Sequence, residues 1–238
     1  MENSNILKGS IILGIFFVIG LSIVSYSLMQ IKSFDNVLVV TGSAKQTVLS
    51  DTVKWNGSFT RKVSDENLSS GFAQMKKDET VVKNFLLENG IKESEITISP
   101  VSMEKNYYYE KSYSSPDEYT LVQNITIQSE NIEKIKETSK NIEPIIEKGV
   151  IFSSYSPQYY YSGLSEARIS LLPKAMEDAK KRAESITGKS VGSLKSVSMG
   201  VVQVLQPNSV DISDYGMYDT STVEKEVMIT VKASFSLR

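Results

Sequence analysis

Residues 167–188 read ARISLLPKAMEDAKKRAESITG, and the fold is decided by how this stretch repeats. Ala167, Leu171, Ala175, Ala179 and Ala183 recur at four-residue steps, and Leu172, Met176 and Ile186 widen the stripe. Glu177, Asp178, Lys180, Lys181, Arg182 and Glu184 lie across from it. This is a helix with one apolar face. Because that face is built from alanine, the helix backbone can sit close to a sheet. Pro173 predicts a bend or a broken first turn, and Gly188 ends the helix.

On the C-terminal side, residues 191–205 and 223–237 read as two last strands around a polar loop at 207–221. On the N-terminal side, Ile132, Ile135, Ile142, Ile145 and Ile146 mark another helix, stopped by Gly149, with Pro144 predicting a kink. Before it come two strands joined by a loop. Ile96, Ile98 and Val101 lead into the first, which runs to the tyrosines at 107–109, and residues 119–128 form the second, carrying Leu121, Ile125 and Ile127. Earlier still, Leu68, Phe72, Met75, Val82, Phe85 and Leu86 trace a helix between a cap at Ser64 or Asp65 and a stop at Gly90. The first soluble segments, 37–41 and 52–63, alternate in the manner of strands, with Val53, Trp55 and Phe59 on one side, and their spacing predicts a hairpin. The order ββαββαβαββ predicts an α+β domain: a largely antiparallel sheet with about three helices on one face.

Residues 9–31 carry no charge and are dominated by Ile, Leu, Phe and Val between Lys8 and Lys32. At about 1.5 Å per residue they reach roughly 34 Å, enough for a hydrocarbon core of about 30 Å. A cleaved secretory signal is the alternative, but its apolar region usually runs about 7–15 residues. Ser25-Tyr26-Ser27, the one passable small-x-small triplet, lies inside the run. The expected organisation is a short tail at 1–8, an uncleaved transmembrane signal-anchor at 9–31 and a soluble domain at 32–238. Lys8 favours an extracytoplasmic position for that domain. Gly14 and Gly20 are six residues apart and miss the four-residue spacing of close-packing helices, so self-association is expected from the soluble domain.

The soluble part carries 25 basic and 27 acidic residues, interspersed, which excludes the basic footprint of a nucleic-acid binder. Cysteine is absent, removing disulfides, thiolate ligands and an acylated lipoprotein Cys. Histidine is absent too, removing the usual general base, the commonest metal ligand and any Ser-His-Asp triad. Glu177 and Asp178 are adjacent on a helix and diverge by about 100°. Glu133, Glu137, Lys134, Lys136 and Lys140 read as ordinary surface charge. No catalytic, cofactor-binding or metal residue is expected.

Taken in order, several segments resemble the SIMPL-domain, or YggE-like, family from about residue 39 to 237. The resemblance rests on 40–44 (VTGSA), 50–53 (SDTV), Asn89-Gly90-Ile91 followed by Glu95-Ile96-Thr97, and Tyr107-x-Tyr109. It continues through Glu118-Tyr119-Thr120, Lys148-Gly149-Val150, and Ala175, Asp178, Ala179 and Ala183 closing at Gly188. Ser50 departs from the usual proline. The resemblance implies an α+β envelope protein, exported or membrane-anchored, without established catalytic residues and forming homo-oligomers in some relatives. It assigns structural roles to Gly42, Asp51, Gly90, Tyr119, Gly149, Ala175, Asp178, Ala179, Ala183 and Gly188.

Nine of the twelve tyrosines lie between 107 and 161, including the triplets Tyr107-Tyr108-Tyr109 and Tyr159-Tyr160-Tyr161. In a strand, consecutive side chains take opposite faces, so each triplet is expected to expose a ring. The leading expectation is a non-enzymatic, single-pass envelope protein that self-associates through sheet edges and these strands, a scaffold or stress-related accessory protein with membrane and cell-wall or envelope partners. The alternatives are a module binding wall glycan or peptide through the exposed tyrosines, and a carboxylate-dependent hydrolase.

Overall fold

The computed structural model describes residues 2–33, 36–107 and 117–237. It opens with α1 (Glu2–Ser33), whose segment Ile11–Met29 is long and apolar enough to cross a membrane. Those 19 residues span about 28 Å of helix axis, and their side chains are exposed throughout. The Ser22 hydroxyl donates to the Val18 carbonyl at 2.8 Å, so this polar group is satisfied within the helix. There follow β1 (Val37–Leu49), β2 (Thr52–Ser64), α2 (Leu68–Glu88), β3 (Ile96–Ile98), β4 (Ser102–Lys105) and β5 (Glu118–Ser129). Then come α3 (Ile132–Lys140), α4 (Glu143–Glu147), β6 (Ile151–Ser154), β7 (Gln158–Tyr160), α5 (Leu164–Thr187), β8 (Leu194–Met199), β9 (Gln203–Leu205) and β10 (Glu224–Ser236). The class is α+β with antiparallel sheets, as the element order implies.

The chain divides into two compact units. The first comprises Met1–Lys45, Ile169–Val202 and Met228–Arg238; the second comprises Gln46–Arg168 and Gln203–Val227. β1, α5 and β10 therefore carry residues of both.

In the second unit, β2 is the centre of a sheet ordered β3-β5-β2-β6, with β4 also on β5 and β7 also on β2. Alternation assigns the faces. Val53, Trp55 and Phe59 of β2 and Leu121, Ile125 and Ile127 of β5 are buried together with Met75, Val82, Phe85 and Leu86 of α2, Ile135 of α3 and Ile145 of α4. The helices thus cover one face. Trp55 meets Phe152 edge to face at 6.4 Å and donates its indole N–H to the Ser154 hydroxyl. Arg61 forks onto Asp78 of α2 at 2.6 and 2.9 Å and also donates to the Gly149 carbonyl, tying β2 to α2 and to the turn after α4.

In the first unit the alternation of β10 continues through Ile229, Val231, Ala233 and Phe235, all buried. The alanine stripe of α5 performs as its size predicts. Leu171, Ala175, Ala179 and Ala183 are buried, and β1 comes so close at Gly42 that a Cβ there would lie 2.2 Å from the Ala175 carbonyl oxygen and 2.3 Å from the Ala179 nitrogen. Gly90, Gly149 and Gly188, read as helix stops, all have positive φ (73°, 80° and 65°).

Four local expectations are corrected. β1 and β2 do not form a hairpin: β1 lies beside β10 in the sheet β1-β10-β8, and β2 lies in the other sheet. The chain parts at Ser50 and Asp51, whose amides donate to the Val223 and Tyr160 carbonyls, so adjoining residues are claimed by different partners. The helix expected to kink at Pro144 is two helices. Proline fits the first turn of α4, where its missing N–H has no intrahelical partner to lose. At Pro173, by contrast, α5 continues without a break, the proline sitting at an exposed position while the buried stripe on either side holds the helix. The strand reading for 107–109 also changes: Tyr107 lies beyond the end of β4, and Tyr108 and Tyr109 lie outside the described residues.

The Gly42 contact meets backbone rather than a movable side-chain end, so a methyl group cannot be accommodated by a rotamer change. Gly42→Ala is expected to cost about 2–3 kcal/mol, read as a fall in melting temperature of the full chain, whereas Gly9→Ala, with open space around it, leaves that temperature unchanged.

Candidate functional site

The structure separates the tyrosines. Tyr107 is 86% exposed, with the Lys105 ammonium 5.9 Å from its ring centroid. Tyr159, opposite Val53 in β7, is buried in the core. Tyr160 and Tyr161 are half-buried and join a partner outside either triplet: Tyr218, in the loop between β9 and β10. The Tyr160 and Tyr218 ring centroids are 5.9 Å apart with planes 31° apart, and the Tyr161 amide donates to the Tyr218 hydroxyl at 2.8 Å. Together with Thr52, Lys54, Gln128 and Ser162 these rings line a groove of about 410 Å³. A wider polar depression of about 740 Å³ shares Thr52 and Gln128 with it.

Tyr218 is held from behind by a buried cation. Along β10, residues 225, 227, 229, 231, 233 and 235 all point inward, and the first of them is Lys225, 0% exposed. Its ammonium donates to the Asp219 carbonyl (2.6 Å), the Thr222 carbonyl (2.7 Å) and the Asp219 carboxylate (3.3 Å), and stands 5.8 Å from the Tyr218 ring centroid. Three donors meet three acceptors, which is what makes a buried ammonium tolerable. Asp219 also accepts from the amides and hydroxyls of Ser221 and Thr222. Burial pushes its carboxyl upward, but those hydroxyls and amides outweigh it and hold the group well below the usual range. Burial lowers the Lys225 pKa against the opposing pull of Asp219. Sequence reading missed this cluster, although a signal was present: Lys225 falls on the inward phase of an otherwise apolar strand.

Several of the residues to which the resemblance assigns structural roles have defined partners. Asp51 accepts from the Ser162 amide and hydroxyl (2.6 Å for the latter) and from Thr52, fixing the approach to α5. Burial opposes ionisation of Asp51, and the Ser162 bonds overcome it, so its pKa is lowered. The Ser43 amide donates to Asp178 at 2.7 Å and Arg182 pairs with the same carboxylate at 2.8 Å. The Ser43 amide foremost, then Arg182, holds the Asp178 pKa down against burial. Tyr119 lies opposite Val63 and Lys105 in the sheet. Glu177 pairs instead with Lys181, so the adjacent acids of α5 face different partners. Among the described residues no three Asp or Glu side chains gather as ligands of a metal ion would.

A second surface lies in the first unit, where β8 ends the sheet beside β10. Val197 stands opposite Ala233 and Met199 opposite Val231, so each shares a face with a buried partner. Yet Val197 is 53% and Met199 48% exposed, and Leu194 and Val201 are exposed as well.

The SIMPL family, described as protein of unknown function (DUF541), matches residues 38–236 of the chain. No curated protein matches it.

Two outcomes follow from the buried cluster and the depressed carboxyls. Lys225→Met strands two carbonyls and leaves Asp219 without its cation, so a loss of about 3 kcal/mol is expected in denaturant unfolding. Asp51, Asp178 and Asp219 all titrate lower in the folded chain than unfolded. The stability they supply is complete above the unfolded carboxyl pKa of about 4 and is lost as pH falls further. Melting temperature should therefore be level from about pH 7 to 5 and drop below about 4, with a shallower drop in Asp219→Asn.

Proposed function

The chain belongs to the SIMPL family, and from that premise we propose that it is a non-catalytic, single-pass membrane protein whose soluble part lies on the extracytoplasmic side and assembles with further copies of itself as an envelope scaffold. The observation that carries this reading is β8. Its Val197 and Met199 occupy the face that is buried one strand further in, and they stand half uncovered at a sheet edge. An edge strand with exposed apolar side chains invites another strand, and natural proteins usually protect such an edge by charge, bulge or cover. β8 carries one charged side chain, Lys195, in six residues.

The commitments of the acidic side chains support a non-catalytic reading. Asp51, Asp78, Asp178 and Asp219 are engaged by structural donors, as are Glu79 (Lys76 and Gln123) and Glu95 (Ser129 and the Lys92 amide). The sequence has neither His nor Cys to take their place as a base or nucleophile. The apolar helix α1 supplies the anchor, and the envelope is where an assembling domain tied to a membrane would meet wall or envelope partners.

Sedimentation of the full chain in detergent tests the reading. The wild-type chain is expected to sediment as an oligomer, and Val197→Lys combined with Met199→Lys to shift it to monomer without lowering its melting temperature. A wild-type chain that stays monomeric at every concentration, or a double variant with unchanged mass, contradicts it.

A further inference from the structure

The groove at Tyr160 and Tyr218 has the make-up of a carbohydrate site, and we propose that it binds a neutral, β-linked glycan chain. The hexopyranose units of such chains present flat faces of axial C–H bonds and a rim of equatorial hydroxyls and amides. A matching protein surface offers rigid aromatic rings to the faces and uncommitted hydrogen-bonding groups to the rim.

The rings are fixed before any ligand arrives. Tyr218 is pinned by the Tyr161 amide at its hydroxyl and by the buried Lys225 ammonium near its ring, and Tyr160 is strand-paired with Thr52. The Tyr218 hydroxyl accepts that amide bond and so keeps its proton to donate. Opposite each other on β2 and β5 stand Lys54 and Gln128, both on the outward face of the sheet, and the side chain of neither makes a hydrogen bond or ion pair to the described residues. Gln128 supplies an amide donor and an acceptor, and Lys54 supplies donors. These groups sit where the aromatic groove passes, through Thr52 and Gln128, into the wider polar depression. The groove and the depression offer about 410 and 740 Å³ respectively.

Charge and strand geometry select among ligands. In the wider depression Lys92 and Lys134 are balanced by Glu95 and Glu130, leaving Lys54 as the single excess charge, which does not suit a polyanion. An extended peptide would bind by adding a strand to β7. That edge is already taken: the Tyr159 amide donates to the Thr220 carbonyl and the Tyr161 amide to the Tyr218 hydroxyl. The inference is independent of self-association, because the groove and β8 belong to different units.

The test is calorimetric titration of the full chain in phosphatidylcholine nanodiscs, which avoid sugar-headed detergents, with chitotetraose and with cellotetraose. Saturable binding of at least one is expected, weakened about tenfold in Tyr218→Ala by loss of the aromatic face and about fivefold in Gln128→Ala by loss of a hydrogen bond. Gln128 is exposed, so its variant is expected to keep the wild-type melting temperature and decides the matter if Tyr218→Ala fails to fold. Persistence of binding in the Val197→Lys, Met199→Lys chain separates this site from the assembly surface. Absence of heat with both tetrasaccharides at millimolar concentration overturns the proposal. So does binding that Gln128→Ala leaves unchanged, or saturable binding of heparin or an extended neutral peptide in place of either sugar.

Discussion

The first unit depends on one close approach, that of the β1 backbone at Gly42 to the α5 backbone at Ala175 and Ala179. Neither partner can be enlarged. A side chain on the strand would collide with a carbonyl oxygen and an amide nitrogen, and larger residues on the helix would push the strand away. The contact also fixes the polar bonds around it, because only at this separation can the next amide, that of Ser43, donate to Asp178, one turn of helix beyond Ala175. Arg182 then closes the arrangement by pairing with Asp178. The alanine period, the strand glycine and the acid on the helix thus form one constraint.

The second unit is organised around β2, which takes β5 along its whole length on one side and β6 and β7 on the other. A strand so thoroughly paired must bury its alternate residues, and Val53, Trp55 and Phe59 form the middle of the core. The opposite phase, Thr52, Lys54 and Asn56, is then presented outward in a row of polar groups. The inward face is filled, whereas the outward face holds side chains with hydrogen-bonding capacity unspent, Lys54 and Gln128 among them.

Much of this was legible in the sequence where the information is local. The four-residue alanine period gave α5 its length and its buried face, and the glycines after α2, α4 and α5 were readable because only a residue without a Cβ enters positive φ freely. Pairing partners were not legible. Residues 37–63 look like a hairpin because two alternating runs flank a short polar break, yet Ser50 and Asp51 are captured by Val223 and Tyr160, residues far away in the chain. The groove likewise joins residues distant in the chain: among the described tyrosines it takes Tyr160 and Tyr161 of one triplet and adds Tyr218, a residue that no local pattern connects to Tyr160. Lys225 could have been found: five apolar residues at alternate positions extrapolate to it, and a cation in that phase demands buried acceptors.

In the proposed assembly, β8, left exposed among the described residues, is covered by a second copy of the chain. Hydrogen–deuterium exchange of the full chain in nanodiscs, followed at β8 as a function of protein concentration, addresses this most directly. Protection of the β8 amides that rises with concentration toward that of β10 is the expected result. Fast exchange across β8 at every concentration, with β10 protected throughout, would contradict it.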